Sequence, residues 1–151
     1  MKRSVLLMAS VAIMVLMVAG VALAAQITCR AGAVECKGTQ RSDNMQGTAG
    51  EDRMIGEGGA DVMHDNGGPD VVKGKGENDR VFGDDGNDFV KGGAGRDRVD
   101  GGAGDDVVRG GRYGQTNDGS VDLLLCGPGR DEVYYTKGVD KIRGCEILHP
   151  S

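Results

Sequence analysis

Residues 47–109 read GTAGEDRMI, GEGGADVMH, DNGGPDVVK, GKGENDRVF, GDDGNDFVK, GGAGRDRVD and GGAGDDVVR, seven consecutive lines of nine residues with no gap between them. The sixth position is Asp in every line: Asp52, Asp61, Asp70, Asp79, Asp88, Asp97 and Asp106. The eighth is Met54, Met63, Val72, Val81, Val90, Val99 and Val108 in turn. Gly holds the fourth position except at Glu77. Such a period dictates architecture, because each unit has to stack on its like. The Gly-rich half carries little to bury and tolerates positive φ, so it forms a turn. The half that begins at Asp forms a short strand, whose eighth-position side chain points away from the seventh and ninth. One such strand buries nothing alone, whereas two lines closed into a coil and stacked on like coils bury a continuous apolar ladder. The expected fold is all-β, a parallel β-roll or β-solenoid of two-nonapeptide coils spaced by about 4.8 Å.

Stacking has an electrostatic consequence. Asp52, Asp70, Asp88 and Asp106 fall in one column, and Asp61, Asp79 and Asp97 in the other. Carboxylates stacked this closely repel, and turn carbonyls crowd beside them. A hard divalent cation that takes six to eight oxygens relieves both, which points to calcium; magnesium, with its tighter octahedron and retained waters, ranks second.

These lines resemble the haemolysin-type (RTX) calcium-binding repeat, G-G-x-G-x-D-x-U-x with U apolar, and residues 92–100 and 101–109 fit it at every specified position. The resemblance implies calcium held between successive turns on each edge of a β-roll. It implies as ligands the carboxylates of Asp52, Asp61, Asp70, Asp79, Asp88, Asp97 and Asp106, with turn carbonyls such as those of Gly83, Gly86, Gly92, Gly95, Gly101 and Gly104. Thr48, Glu57, Asn66, Lys75 and Asp84 replace the second Gly, Asp65 a first and Glu77 a fourth. Any residue supplies a carbonyl, but non-Gly residues at left-handed positions are strained, so the turns at Asp65 and Glu77 are expected to be the weakest.

Working outward, residues 1–24 carry Lys2 and Arg3, an apolar run and Ala22-Leu23-Ala24, the pattern of a secretory signal peptide cleaved after Ala24. The competing reading is an uncleaved anchor, since residues 5–25 are long enough to span a bilayer. From residue 25 the chain has one domain's length and holds all 23 acidic but only 16 of the 18 basic residues, a formal charge of −7. That balance argues against nucleic acid or an anionic membrane as partner and for cations. Two Phe, three Tyr and no Trp are too few for a conventional core.

Residues 25–46 hold degenerate lines, with Asp43 and Met45 in register, and are expected to cap the roll at its start. Residues 110–151 form an insertion-bearing cap at its end: about seven extra residues interrupt the frame after Arg109, then Asp122, Asp131 and Asp140 restore it. Four cysteines in an exported chain read as disulfides with three possible pairings. Cys29 with Cys36 and Cys126 with Cys145 is the expected set, each bridge pinning an end of the roll.

An enzyme is not expected. No HExxH, GxSxG, P-loop or GxGxxG occurs, and the repeat frame takes up nearly all of the chain after the leader. The toxin and protease activities of RTX proteins therefore do not carry over. The expected function is that of a secreted, extracellular calcium-binding module holding several ions and folding as it binds them. The alternative is an envelope-associated structural or adhesive protein in which calcium is only structural. For that alternative the outward columns Val71, Phe89, Val107 and Lys73, Lys91, Arg109 offer a partner surface; as an ordinary solvated face they need none. His64 and His149 are expected at the surface, and Tyr134 and Tyr135 over the last coil.

Overall fold

The computed structural model describes residues 24–31, 35–111 and 119–151, and every helix or strand in them is a β-strand. The leader and the inserted residues 112–118 lie outside the described residues, as does Val34 of the first line. Strands β1 (Ala25–Thr28), β3 (Asp43–Gln46), β5 (Val62–His64), β7 (Arg80–Phe82), β9 (Arg98–Asp100), β11 (Leu123–Leu125) and β13 (Lys141–Arg143) pair in that order in one parallel sheet. Strands β2 (Cys36–Lys37), β4 (Arg53–Glu57), β6 (Val71–Gly76), β8 (Phe89–Ala94), β10 (Val107–Arg109), β12 (Glu132–Tyr135) and β14 (Ile147–Pro150) form the other. Successive strands alternate between the sheets, so the chain winds a β-solenoid of about six turns.

The nine-residue period sets the register. Val72 pairs with Val90 and Val90 with Val108 in one sheet, while Met63 pairs with Val81 and Val81 with Val99 in the other. Every eighth-position side chain from Met45 through Val133 is 0% exposed. The core is thus two facing ladders of single aliphatic side chains, each worth about 1.5–3 kcal/mol on burial. Seventh and ninth positions face outward, as alternation requires: Val71, Phe89 and Val107 are cross-strand neighbours, and so are Lys73, Lys91 and Arg109. Arg109 Cζ lies 4.0 Å from the ring centroid of Tyr134, which stacks on His149 at 4.3 Å. His64 stacks on Phe82 at the same separation, 4.3 Å. Tyr135 packs against the end of the core.

The insertion leaves the register intact. Aspartates of adjacent coils are 18 residues apart up to Asp97 and Asp106, and 25 apart across the insertion, where Asp97 meets Asp122 and Asp106 meets Asp131. The sequence separation between stacked aspartates is therefore seven residues longer there, while the two coils stack as the others do.

Both ends extend further than the nonapeptide lines suggest. Ala25–Thr28 adds a strand beneath β3, with Ile27 beside Met45. Ile147–Pro150 adds one above β12, with Leu148 beside Val133 and 46% exposed because no coil covers it. Disulfides Cys29–Cys36 and Cys126–Cys145 join Cα atoms 5.5 and 5.2 Å apart, the expected pairing. A two-ladder core has no depth at its ends, and bridges there restrain the coils that would fray first.

Burial ranks the ladder by position. Val90→Ala should lower unfolding free energy by about 2 kcal/mol through lost transfer energy and a cavity, whereas Leu148→Ala should change it by less than about 0.5 kcal/mol. Urea denaturation of both variants at one fixed calcium concentration checks the contrast.

Candidate metal-binding turns

The sixth-position aspartates are aligned coil over coil and, except for the half-buried Asp140, are buried. Each uses Oδ1 in the same way: the backbone N–H of Asp52 donates to Asp70, that of Asp70 to Asp88, and that of Asp88 to Asp106, at 2.6–2.9 Å. The second column runs Asp43, Asp61, Asp79, Asp97, Asp122 and Asp140 by the same bond. At the top of the first column Asp131 donates to Glu146 Oε2, so a glutamate completes the series. This ladder was not anticipated from the sequence, nor was Glu146, although Glu146-Ile147-Leu148 repeats the acid-x-apolar spacing. A second ladder lies outside it. Side chains at position five, Ser42, Asn78, Asn87 and Asp105, accept the N–H of the corresponding residue one coil later.

The fate of Oδ2 divides the turns into two kinds. In the turns that hold Thr at position two, the threonine N–H donates to Oδ2 of its own aspartate, Thr39 to Asp43, Thr48 to Asp52 and Thr136 to Asp140. These turns are self-contained and sit toward the two ends of the solenoid. In seven turns between, position two is left-handed, either Gly (Gly93, Gly102, Gly127) or Glu57, Asn66, Lys75 and Asp84 with φ of 51° to 90°. A β-branched threonine avoids that region. Where position two is left-handed, the buried Oδ2 atoms of Asp61, Asp70, Asp79, Asp88, Asp106 and Asp131 have no hydrogen-bond partner. The repeat places Asp52 with the others, but its Oδ2 accepts from Thr48 inside its own turn. Among the substituted turns, Glu77 is left-handed as expected, with φ of 71°, but Asp65 is not. Asp65 occupies position one, where the backbone needs no positive φ; the strain falls at positions two and four.

Oδ2 lies over the first glycine of its own turn. A β-carbon on Gly83 or Gly101 would come within 3.0 or 2.6 Å of Oδ2 of Asp88 or Asp106, and one on Gly92 would meet Asp97. At position four, a β-carbon on Gly86, Gly95 or Gly104 would strike the carbonyl of Gly68, Glu77 or Gly86 in the coil before. The turns thus bring carboxylate oxygens and carbonyls of adjacent coils into one narrow column on each edge. Carbonyls at position two are also engaged between coils: the N–H of Ala103 donates to Asp84 and that of Asp85 to Asn66.

Burial, ahead of mutual repulsion, is what disturbs these carboxylates. It pushes Asp61, Asp70 and Asp106 up to about 6 and Asp79 and Asp88 up to about 7. The Oδ1 hydrogen bond opposes the rise, and the neighbouring carboxylates add to it. The repulsion read from the stacked columns is therefore the smaller part of the cost, because each carboxylate has first lost its water. A buried anionic oxygen without a donor calls for a proton or a cation. Hard oxygen donors in that number match calcium, so the residues present fit the ion.

Asp65 is the residue that sequence reading undervalued. It is 0% exposed, and it lies with Asp70 and Asp88 in a group whose ligand atoms are within 4.8 Å of one another. The line DNGGPD, with acids at both its first and sixth positions, was the available signal. His64 is held at the surface with Nδ1 3.1 Å from Asp84 Oδ2, and His149 has Nε2 3.4 Å from Glu132 Oε2. No helix among the described residues is long and apolar enough to cross a membrane.

The family model described as the RTX calcium-binding nonapeptide repeat (four copies) matches residues 37–72, 64–99 and 82–112, together half of the 151-residue chain. No curated protein and no solved structure matches it.

Raised carboxylate pKa values give the metal-free chain a definite pH dependence. The folded form binds protons more tightly than the unfolded one, so this contribution to stability is complete below about pH 4 and is lost as pH rises through 6 to 7. Thermal unfolding of calcium-free protein should show a higher midpoint at pH 5 than at pH 8, and saturating calcium should abolish or reverse that order. A midpoint that rises with pH without calcium would contradict the burial of these groups.

Proposed function

Since the chain belongs to the haemolysin-type family of RTX calcium-binding nonapeptide repeats, we propose that it acts as a secreted calcium-binding module whose roll is completed by ions seated between adjacent turns. The observation that carries this reading is the set of buried Oδ2 atoms without hydrogen-bond partners on both edges. When bound, calcium supplies positive charge and six to eight coordination positions for oxygen. The chain does the rest. Asp61, Asp70, Asp79, Asp88, Asp97 and Asp106 present carboxylates already oriented by the Oδ1 ladder, and carbonyls of the glycine turns, including Gly83, Gly86, Gly92, Gly95, Gly101 and Gly104, crowd the same columns. Asp131 belongs with this group. Asp52 is the weakest of the ligands suggested by the sequence, because Thr48 already satisfies it.

In this reading residues 1–24 direct export, 25–46 and 110–151 cap the roll, and 47–109 bind most of the calcium. The sites do not exist in the unfolded chain, so binding free energy becomes folding free energy. Affinity of roughly 10⁻⁴ to 10⁻³ M, as in extracellular modules, would keep the protein folded outside the cell and unfolded where calcium is scarce. The function is non-catalytic binding. A structural or adhesive role at the envelope is the second reading, favoured by the outward column of Lys73, Lys91, Arg109 and Tyr134, in which Arg109 covers two rings.

Two measurements test the proposal. Far-UV circular dichroism of the disulfide-intact protein should gain strand signal on calcium addition and lose it on chelation; a spectrum indifferent to calcium would remove the basis for the reading. Calorimetry should find fewer ions bound to Asp88→Asn than to the wild type. Thr48→Gly, which frees position two to become left-handed, should add a site.

A further inference from the structure

Position one is Gly in the turns that begin at residues 47, 56, 74, 83, 92 and 101, and Asp at 65. In glycine turns the space beside that residue is occupied by Oδ2 of the sixth-position aspartate, as the close approaches at Gly83 and Gly101 show. At residue 65 a whole carboxylate is built into this confined region. Neither oxygen of Asp65 has a hydrogen-bond partner, and the residue is 0% exposed. Its neighbours are Asp70 of its own turn and Asp88 of the next coil, 2% and 3% exposed, whose Oδ2 atoms also lack partners. The Oδ1 atoms of both are committed to the backbone ladder. The nearby imidazole of His64 is turned to Asp84. Three buried carboxylates therefore converge, one ligand oxygen of each within 4.8 Å of the others.

We propose that Asp65 converts the junction between turns 65–70 and 83–88 into a three-carboxylate calcium site, the tightest on the roll, which fills first and nucleates folding from its middle. The inference rests on the calcium reading above and adds to it that one non-consensus residue sets the order of filling. Affinity for calcium follows the number of charged ligands, and this junction has one more than its neighbours. A solenoid can nucleate anywhere and propagate to adjacent coils, so the junction that binds at the lowest calcium concentration sets where folding starts. Residue 65 has complete coils on both sides, which lets growth proceed in both directions.

Calcium titration of the full, disulfide-intact chain by calorimetry tests this, using wild type, Asp65→Gly and Asp65→Asn. Asp65→Gly restores the repeat consensus and keeps the turn foldable; Asp65→Asn retains size and removes the charge. The wild type should show one site at least about tenfold tighter than the remainder, in line with an added charged ligand. Both variants should lose that class while keeping the weaker sites. Europium(III) luminescence lifetimes, which count waters on the first ion bound, should show more water in Asp65→Gly than in the wild type. A variant that binds as tightly as the wild type, or more tightly, would overturn the proposal and make Asp65 a plug or a packing residue. Absence of any calcium binding by the wild type would bring down the broader reading instead, so the two failures are distinguishable.

Discussion

The structure depends on one repeated hydrogen bond, from the backbone N–H of a sixth-position aspartate to Oδ1 of the aspartate in the next coil. It fixes the distance and alignment of successive turns, and it buries an anion at every step. Hydrogen bonds to a charged acceptor are the stronger kind, worth about 1.5–3 kcal/mol each. The same geometry places Oδ2 out of reach of water and, in most turns, of any donor. Each coil therefore gains order from one carboxylate oxygen and incurs an unmet electrostatic demand through the other.

That demand connects fold to function. A core two side chains thick, built from Met and Val with almost no aromatic surface, leaves little reserve of hydrophobic stability. A protein so balanced responds to whatever neutralises its carboxylates. Protons and divalent cations do so in different pH ranges, the first below the raised pKa values and the second above them. The disulfides act separately, restraining the ends, where neither the ladder nor the core is complete.

Position two decides which turns share in this behaviour. Threonine there keeps its backbone out of the left-handed region and donates its N–H to Oδ2, closing the turn on itself. Glycine, or a polar residue forced to φ above zero, leaves Oδ2 open. The cost of holding Glu57, Asn66, Lys75 and Asp84 in that region is of order 1 kcal/mol or more each. Such strain is tolerable where the opened carboxylate has a use.

Winding, register and inward face are all legible in the repeat alone. A period of nine combined with the two-residue alternation of a strand leaves one arrangement that buries every Met and Val at position eight. The 19-residue spacing of Cys126 and Cys145 set one above the other for the same reason. Tertiary structure decided what period cannot express. Which oxygen of an aspartate is satisfied depends on the backbone at position two of its own turn and on an N–H 18 residues away. The terminal strands escaped notice because Ala25 and Glu146 stand where Asp marks the others. Asp65, a flaw when read along the chain, becomes the centre of an acidic cluster only when Asp88 is stacked beside it, since carboxylates 23 residues apart in sequence meet through coil stacking alone.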